Sequence, residues 1–432
     1  MSSTTGFSAS YKPSQLILDF YQVISRRTLL VGGASATAVA ASGAGFIFSS
    51  SVQDTRAALL YAYGLYEFAN RMQILSLQVQ RPGMFNAEDV KAQFRDWNGE
   101  PVLNRPLHSS RLNSHESRAI TTPNNDTLYT SAVLSLAAGP VEVNVPDAQD
   151  RYLSVAFMDA FSDQIAYIGT RATQGKGGRY WVYGPGQPAK PPEGVTPIQS
   201  TTNDLWMLGR VFVAGAKDYE AAREFQQSIT AQPVDPQNTG EVFRTVAPDR
   251  SDPQSFLALT NELLGRSPPQ GEALRASDYS HLGIEAGNLS AYTELTPLKQ
   301  LLWSRALDGV EQRITELVLE QQKATIGWTA PPQILGRYGQ HDDVRSAVAV
   351  TGFGALPLEA AAYFKSLTDS SGEPLAGSKS YLLVIPAKRP KDPNVVWMPT
   401  PKGSLNCVFR TYLPGTSIRE GRWSPPPIVR VG

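Results

Sequence analysis

The amino-acid sequence predicts an α+β protein with an antiparallel β-rich first domain, a helical connector and a second β-leaning region. Its 432 residues are enough for two or three domains of roughly 150 residues each. Short β-branched or aromatic runs, separated by Gly and Pro, fill residues 119–213, which is typical of strands. Apolar residues at three- and four-residue spacing dominate the region 214–330 instead, and this spacing predicts helices.

The first 53 residues carry the pattern of an export signal. Arg26 and Arg27 follow a polar leader and precede an uncharged stretch at 28–53. This order is typical of a twin-arginine signal, although a chance Arg-Arg pair before a buried helix is the alternative. The apolar run 29–48 is long enough to remain as a transmembrane helix if the signal is not cleaved. We therefore expect the protein in the periplasm or on the outer face of the inner membrane.

The first domain is predicted to span 54–213 and to begin with a helix from Asp54 to about residue 77, because Asp54 can cap it. The connections between the following β runs are short, and we interpret the strands as antiparallel because parallel crossovers need a dozen or more residues. The predicted strands cover 127–136, 141–145, 152–158, 164–169, 179–183 and 206–213.

The helical connector is predicted over 214–330, with helices at 218–229, at 252–265 and from 296 to about 325. No Gly/Ser-rich tract separates it from its neighbours, so we expect it to pack on the first domain. The C-terminal domain, 331–432, is predicted to contain a helical interlude at 343–350 and 358–364 and strands at 380–385 and 405–412. Cys407, the single cysteine, lies in the last strand and is interpreted as a buried structural thiol.

Several functional classes are disfavoured by composition and by missing motifs. The formal net charge is zero, so nucleic-acid binding is not expected. The chain lacks the sequence signatures of α/β-hydrolases, nucleotide-binding folds, thermolysin-like proteases and zinc ribbons. No histidine pair has the spacing of a helix-borne metal site, and no motif names a cofactor.

The densest polar cluster follows Pro123. Asn124, Asn125 and Asp126 precede a strand that contains Tyr129, and His108 lies upstream, where it could fold back onto this loop. These groups could orient a hydroxylated substrate or act as a general base, so they form the hypothetical catalytic set. The alternative is a turn in which Asn and Asp bond their own backbone and start a strand.

A Gly-rich hairpin at 169–180 supplies the hypothetical ligand-binding residues Arg171, Arg179 and Tyr180. Backbone N–H groups and a guanidinium in such a loop can bind an anion, whereas a tight structural turn is the alternative. Further along, Arg210 is interpreted as the partner of a buried ion pair.

A family resemblance rests on the string at 122–129 and on the segments 151–152, 157–160, 168–171 and 178–180. These resemble the bacterial domain of unknown function 1254. The segments 327–328, 338–339, 345–349, 372–375 and 423–427 resemble its usual companion, domain of unknown function 1214. The resemblance implies an α/β first domain, a helical middle and a jelly-roll-like C-terminal β-sandwich in exported or envelope-associated proteins. Between 385 and 397 this chain is shorter than the family pattern, so the sandwich is expected to be shortened and to expose an edge that could seek a second copy.

Two functions stay open at this point. The first is an envelope enzyme that acts on a small neutral or hydroxylated compound through the Asn124 loop. The second is a non-catalytic ligand-binding or assembly protein of the envelope. The twin-arginine-like signal favours the first slightly, because that route suits proteins that must fold, sometimes around a cofactor, before export.

Overall fold

The computed structural model describes residues 44–76, 101–113, 123–245, 248–310, 312–314, 328–366, 368–376, 381–383 and 407–430. The predicted signal, including Arg26 and Arg27, lies outside these residues except for its last part, where helix α1 (Ala44–Leu75) begins. Across the described segments, no helix combines the length and the apolar character needed to cross a membrane. The chain divides into two units, 1–56 and 57–432. The predicted domain boundaries at 213 and 330 stay predictions.

A five-stranded antiparallel sheet dominates the second unit. Its strand order is β1-β2-β8-β4-β5, so the central strand β8 lies between β2 and β4. The strands are β1 (Leu107–His108), β2 (Thr127–Ser135), β4 (Leu153–Asp159), β5 (Gln164–Gly169) and β8 (Asp204–Phe212).

A four-stranded sheet has the order β7-β6-β3-β9. Its strands are β3 (Val141–Val145), β6 (Gly178–Tyr183), β7 (Val195–Gln199) and β9 (Thr230–Pro233). Strand β7 pairs with β6 in parallel, so the expectation of antiparallel strands was wrong for this pair. Pro197 lies inside β7, and it is tolerated because β7 is an edge strand that need not donate a full ladder of hydrogen bonds.

The two faces of the five-stranded sheet serve different cores because successive side chains of a strand point to opposite sides. On one face, Leu128, Val155 and Val211 pack in the core shared with β3 and β6. On the other face, Tyr129 and Trp206 pack in a core shared with the helices. The site described below uses this second, outer face.

Helix α1 begins at Ala44, so Asp54 lies inside the helix and does not cap its start as predicted. The other helices agree with the sequence prediction in position more than in length. The helices after α1 are α2 (Tyr219–Gln227), α3 (Pro253–Gly265), α4 (Ala291–Glu294), α5 (Pro297–Leu307), α6 (Asp342–Thr351) and α7 (Thr416–Arg419).

The predicted helix from 296 to about 325 is interrupted, because α5 ends at Leu307 and Gly309 adopts a φ of 64°. That left-handed conformation breaks the helix at a residue without a Cβ. Residues 310 and 312–314 are helical again, and the remainder of the predicted helix lies outside the described residues.

The helix predicted over 358–364 is also wrong. Strand β10 (Ala361–Ser366) occupies most of it and pairs with β12 (Cys407–Tyr412), because long-range pairing outweighs the local preference of its alanines. Strands β11 (Tyr381–Leu383) and β13 (Ile428–Arg430) form a second pair. Where the C-terminal region is described, these two pairs are its sheets, and the complete sandwich stays a prediction. Cys407 on β12 is half-buried, not buried as predicted, and this partial burial raises the pKa of its thiol.

Candidate functional site

The loop before β2 connects the first sheet to the C-terminal strand β12. The backbone N–H of Asn124 donates to the Tyr129 hydroxyl at 2.9 Å, and its side-chain Nδ2 donates to the Tyr412 hydroxyl at 2.8 Å. Asn124 is buried, whereas Asn125 and Asp126 are exposed. The structure therefore brings Asn124 and Tyr129 together and leaves the side chains of Asn125 and Asp126 at the surface.

Arg210 is the central group of this region. It lies on β8 directly opposite Tyr129 of β2 and Ser154 of β4, on the outer face of the sheet. The residue is only 5% exposed. Its Nη2 donates to the Gly354 carbonyl at 2.7 Å, whereas its Nη1 is buried and has no hydrogen-bond partner.

The ion pair predicted for Arg210 is absent among the described residues. None of the salt bridges involves it. Its strongest neighbours are phenol groups instead, and Cζ lies 5.6 Å from the ring centre of Tyr129. The prediction identified a buried arginine correctly but gave it a partner of the wrong chemistry.

Four more tyrosines surround this guanidinium at the junction of β4, β5, β10 and β12. The rings of Tyr152 and Tyr412 are 4.6 Å apart, and the hydroxyls of Tyr152 and Tyr167 are 3.4 Å apart. The fourth, Tyr363, influences Arg210 electrostatically. Burial raises the pKa of Tyr152, Tyr167 and Tyr412, so these phenols stay protonated at neutral pH and can donate hydrogen bonds.

The four tyrosines are partly accessible, whereas Arg210 below them is buried. Ala156, Leu356, Ala360 and Ala361 pack beside them as a small apolar cluster. The arrangement thus has a charged, buried floor and a rim of half-buried aromatic rings.

Two further cations lie on the rim. Arg171 places its Cζ 4.5 Å from the ring centre of Tyr167, and Arg410 places its Cζ 5.1 Å from that of Tyr363. The Nε of Arg171 is buried without an acceptor. Guanidinium groups over aromatic faces are weakly favourable contacts that keep positive charge close to the rings. The potential of the whole cluster is therefore positive.

The remaining predicted site residues lie elsewhere. His108 bonds through Nδ1 to the Thr130 hydroxyl at 3.0 Å. Thr130 follows Tyr129 in the strand, so His108 is on the opposite face of the sheet from Arg210. Arg179 forms an ion pair with Glu142 at 2.8 Å on the four-stranded sheet. Tyr180, also on that sheet, is buried in the core between the sheets. Of the predicted ligand-binding residues, only Arg171 adjoins the site.

Asp159 is a second buried charged group, and it has a structural role. One carboxylate oxygen accepts the backbone N–H groups of Phe161 and Asp163 at 2.9 Å each, and the other accepts the Thr201 hydroxyl. Burial, with a smaller effect from Asp163, raises the pKa of Asp159 to about 6. These bonds close the turn between β4 and β5. Within the described ranges no group of three His, Cys, Asp or Glu side chains is placed to hold a metal.

Sequence reasoning missed most of the tyrosine cluster because its members are far apart in the chain. Tyr152, Tyr167, Tyr363 and Tyr412 each fall in a strand pattern, where an aromatic residue is ordinary. A signal was present in the paired runs Arg151-Tyr152 and 409–412, where a cation precedes a tyrosine in a strand. Only the fold shows that these runs meet.

One family model matches part of the chain, and a solved structure shares its architecture. Residues 103–233 match the family described as Protein of unknown function (DUF1254). None of the curated proteins matches this chain. The crystal structure of the VPA0106 protein from Vibrio parahaemolyticus superposes with a TM-score of 0.60 at 19% identity, covering 88% of this chain and 100% of that protein. An uncharacterised protein from Burkholderia cenocepacia aligns at 13% identity over 86% of this chain and 74% of its own, with a TM-score of 0.28.

The segment that matches DUF1254 contains Asn124, Tyr129, Tyr152, Tyr167 and Arg210, which are the first-sheet half of the site. The other half, Tyr363 and Tyr412, lies beyond the match. At 19% identity the Vibrio protein shares a fold with this chain and indicates no activity. Residues 103–233 match the DUF1254 family, and the fold of the chain is similar to that of the VPA0106 protein.

Proposed function

We propose that this protein is a non-catalytic ligand-binding protein of the cell envelope that holds a small anionic molecule against Arg210. The observation that carries the proposal is the buried Nη1 atom of Arg210, which has neither a hydrogen-bond acceptor nor a carboxylate partner. Burying an ionised group away from water costs on the order of several kcal/mol unless the group is paired. Arg cannot escape this cost by losing its proton, since its pKa exceeds about 12. A bound anion would compensate the charge.

The arrangement favours binding over catalysis. The predicted catalytic set is not assembled, because the Asp126 side chain is exposed and His108 lies on the opposite face. The groups that do converge on Arg210 are phenols with raised pKa values and other cations, which donate hydrogen bonds or attract anions. Donors without a general base suit retention of a ligand better than its conversion.

The envelope location rests on the sequence of the first 53 residues and on the resemblance to exported proteins. The resemblance of the C-terminal region to domain of unknown function 1214 supports the same location. A second copy could pair with an exposed sheet edge, and membrane attachment through 29–48 would follow if the signal is retained.

The binding proposal is tested with a thermal-unfolding screen of metabolite classes against the wild type and Arg210→Met. Any ligand that binds the folded state raises the apparent stability by mass action. We expect anionic compounds to raise the melting temperature of the wild type and not of Arg210→Met. Arg223→Met, a surface arginine on α2, is the control and should respond like the wild type. The proposal fails if no anion stabilises the wild type, or if Arg210→Met responds equally.

The export proposal is tested separately by fractionating cells that produce Arg26→Lys with Arg27→Lys. A twin-arginine route requires the pair, so the variant should accumulate in the cytoplasm. The control changes two exposed arginines outside the pattern, Arg105→Lys with Arg111→Lys, and should be exported normally. Normal export of the first variant would contradict a twin-arginine signal.

A further inference from the structure

We infer that the anionic group of the ligand is a carboxylate, bound by Arg210 Nη1 and by the phenol hydroxyls of Tyr129 and Tyr412, and that the ligand carries a hydroxyl group nearby. This inference rests on the proposed function and deepens it by naming the ligand class. It depends on three features of the site: the direction of the phenol hydrogens, the amount of buried charge and a buried hydroxyl without a partner.

Asn124 fixes how the two phenols can bond. It donates to the Tyr129 oxygen through its backbone N–H and to the Tyr412 oxygen through Nδ2. Each phenol has one hydrogen to donate, and its oxygen here already accepts a bond. The hydrogens of Tyr129 and Tyr412 are therefore left to bond an acceptor supplied from outside the group. Asn124 is a positioning residue, because it acts through the two phenols.

Together with Arg210 Nη1, these phenols make a set of donors around a buried position. Arg210 and Tyr129 are opposite each other in the register of β8 and β2, and both lie on the outer face. Tyr412 approaches the same group from β12 and interacts electrostatically with Arg210 and Tyr129. Donors that converge without an acceptor recognise an oxyanion.

The enclosed charge favours a monoanion. Arg210 is the one guanidinium of the cluster that is buried and hydrogen-bonded only to a carbonyl, whereas Arg171 and Arg410 are half-buried and lie over the rings of Tyr167 and Tyr363. A carboxylate neutralises the single charge of Arg210. A phosphate monoester carries about −1.5 to −2 charges at neutral pH, so it would leave uncompensated negative charge at the buried floor.

The buried Thr127 hydroxyl indicates a hydroxyl on the ligand. Thr127 Oγ1 has no hydrogen-bond partner, whereas Ser154 Oγ lies within hydrogen-bonding reach of the hydroxyls of Tyr152 and Tyr167. Ser154 faces Arg210 across the β4–β8 pair, and Thr127 lies two residues before Tyr129 on the same face of β2. Buried polar atoms are nearly always bonded, and unbonded ones indicate a missing partner. A hydroxyl close to the carboxylate would supply that partner.

The test measures binding of a matched series of probes by calorimetry at constant ionic strength. Mandelate and lactate are the hydroxycarboxylates, phenylacetate and propionate lack the hydroxyl, methyl mandelate lacks the charge, and phenyl phosphate carries the larger charge. We expect hydroxycarboxylates to bind best, the acids without hydroxyl to bind several-fold more weakly, and the ester and the phosphate not to compete. Equal binding of phenyl phosphate, or preference for the ester, would overturn the carboxylate assignment.

Variants assign the donors. Charge-assisted bonds are the stronger class, so Arg210→Met should weaken hydroxycarboxylate binding about tenfold to a hundredfold. Tyr412→Phe removes one donor and should weaken it about tenfold or less. Tyr183→Phe, on the four-stranded sheet, is the matched control and should leave binding unchanged. Unchanged binding by Tyr412→Phe would remove that phenol from the site.

The role of Asn124 has its own readout. Asn124→Ala should weaken the binding of hydroxycarboxylates. Adding Tyr412→Phe to Asn124→Ala should then have little further effect on binding, because the phenol that it alters is no longer held in direction by Asn124. Additive losses would contradict the positioning role. Failure of the whole carboxylate series, with Arg210-dependent stabilisation by another anion class in the broad screen, would overturn this inference and leave the proposed function standing.

Discussion

A buried arginine lies at each end of strand β8, but only one of the two is paired with a carboxylate. At its start, Asp204 pairs with Arg266 through two contacts of 2.7 and 2.9 Å, and both side chains are buried. At its other end, Arg210 is equally buried and pairs with no carboxylate. The fold thus completes an ion pair at one end and leaves a cation uncompensated at the other, on the same strand.

The Arg266 end is saturated with contacts. Besides Asp204, Arg266 donates to the Glu241 carbonyl at 2.7 Å, and its Cζ lies 4.3 Å from the ring centre of Phe243. These contacts fasten the loop before α3 to the sheet. The comparison teaches that a buried charge with all its bonds made is part of the framework, whereas a buried charge with a bond to spare indicates a partner from outside.

The largest effect is expected where the pair is complete. Arg266→Met leaves the buried Asp204 carboxylate without its partner and should lower the free energy of unfolding by about 3–5 kcal/mol. Urea denaturation at neutral pH measures it. Arg422→Met breaks the surface pair with Glu420 and should cost about 1 kcal/mol or less. A smaller loss of unfolding free energy in Arg266→Met than in Arg422→Met would contradict the comparison.

Asp159 sharpens the comparison because it is buried without a cation yet can change its charge. Its folded pKa of about 6 lies above its ordinary value of 3.8. The folded state therefore holds the proton more tightly than the unfolded chain, and stability from this group is full below pH 4 and is lost as the pH rises to about 6. The shift corresponds to about 3 kcal/mol.

Asp159→Asn keeps the shape of the side chain and removes this titration. Between pH 4 and pH 6.5, the free energy of unfolding should change less for the variant than for the wild type. The two changes should differ by up to about 3 kcal/mol. An identical pH dependence in the two proteins would show that Asp159 does not titrate in this window. Asp126→Asn, at an exposed carboxylate, is the control and should follow the wild type.

The smallest effect on stability, and the one with the opposite sign, is expected at Arg210. Arg210→Met removes an unpaired buried charge, so without ligand the free energy of unfolding should stay equal or rise by about 1 kcal/mol. Arg210→Lys keeps the charge and should show no gain. A loss of 3 kcal/mol or more in Arg210→Met would place Arg210 in the framework beside Arg266.

Much of the first domain could be predicted from the sequence, because its information is local. Strands β3 and β5 have the predicted bounds, since Gly and Pro end each run. Strand β10 could not be predicted, since its alanines favour a helix and only pairing with β12 makes it a strand.

The candidate site divides in the same manner. The turn residues that place Asn124 before β2 are visible in the sequence, and so is the buried position of Arg210. The partners Tyr363 and Tyr412 are not, because they come from strands far along the chain that meet β8 only in the folded protein. The sequence predicted an acidic partner for Arg210, whereas in the folded protein its neighbours are phenols.

The central claim, that Arg210 is the anchor for a carboxylate, is tested most directly by NMR of the arginine side chains. In protein labelled at arginine, the Nε–Cζ signals of Arg210 and Arg266 are assigned from their loss in Arg210→Met and Arg266→Met, and mandelate is then titrated. The account predicts a saturable shift of the Arg210 signal while that of Arg266 stays in place. A ligand that binds without moving the Arg210 signal, or that moves both signals alike, would contradict it.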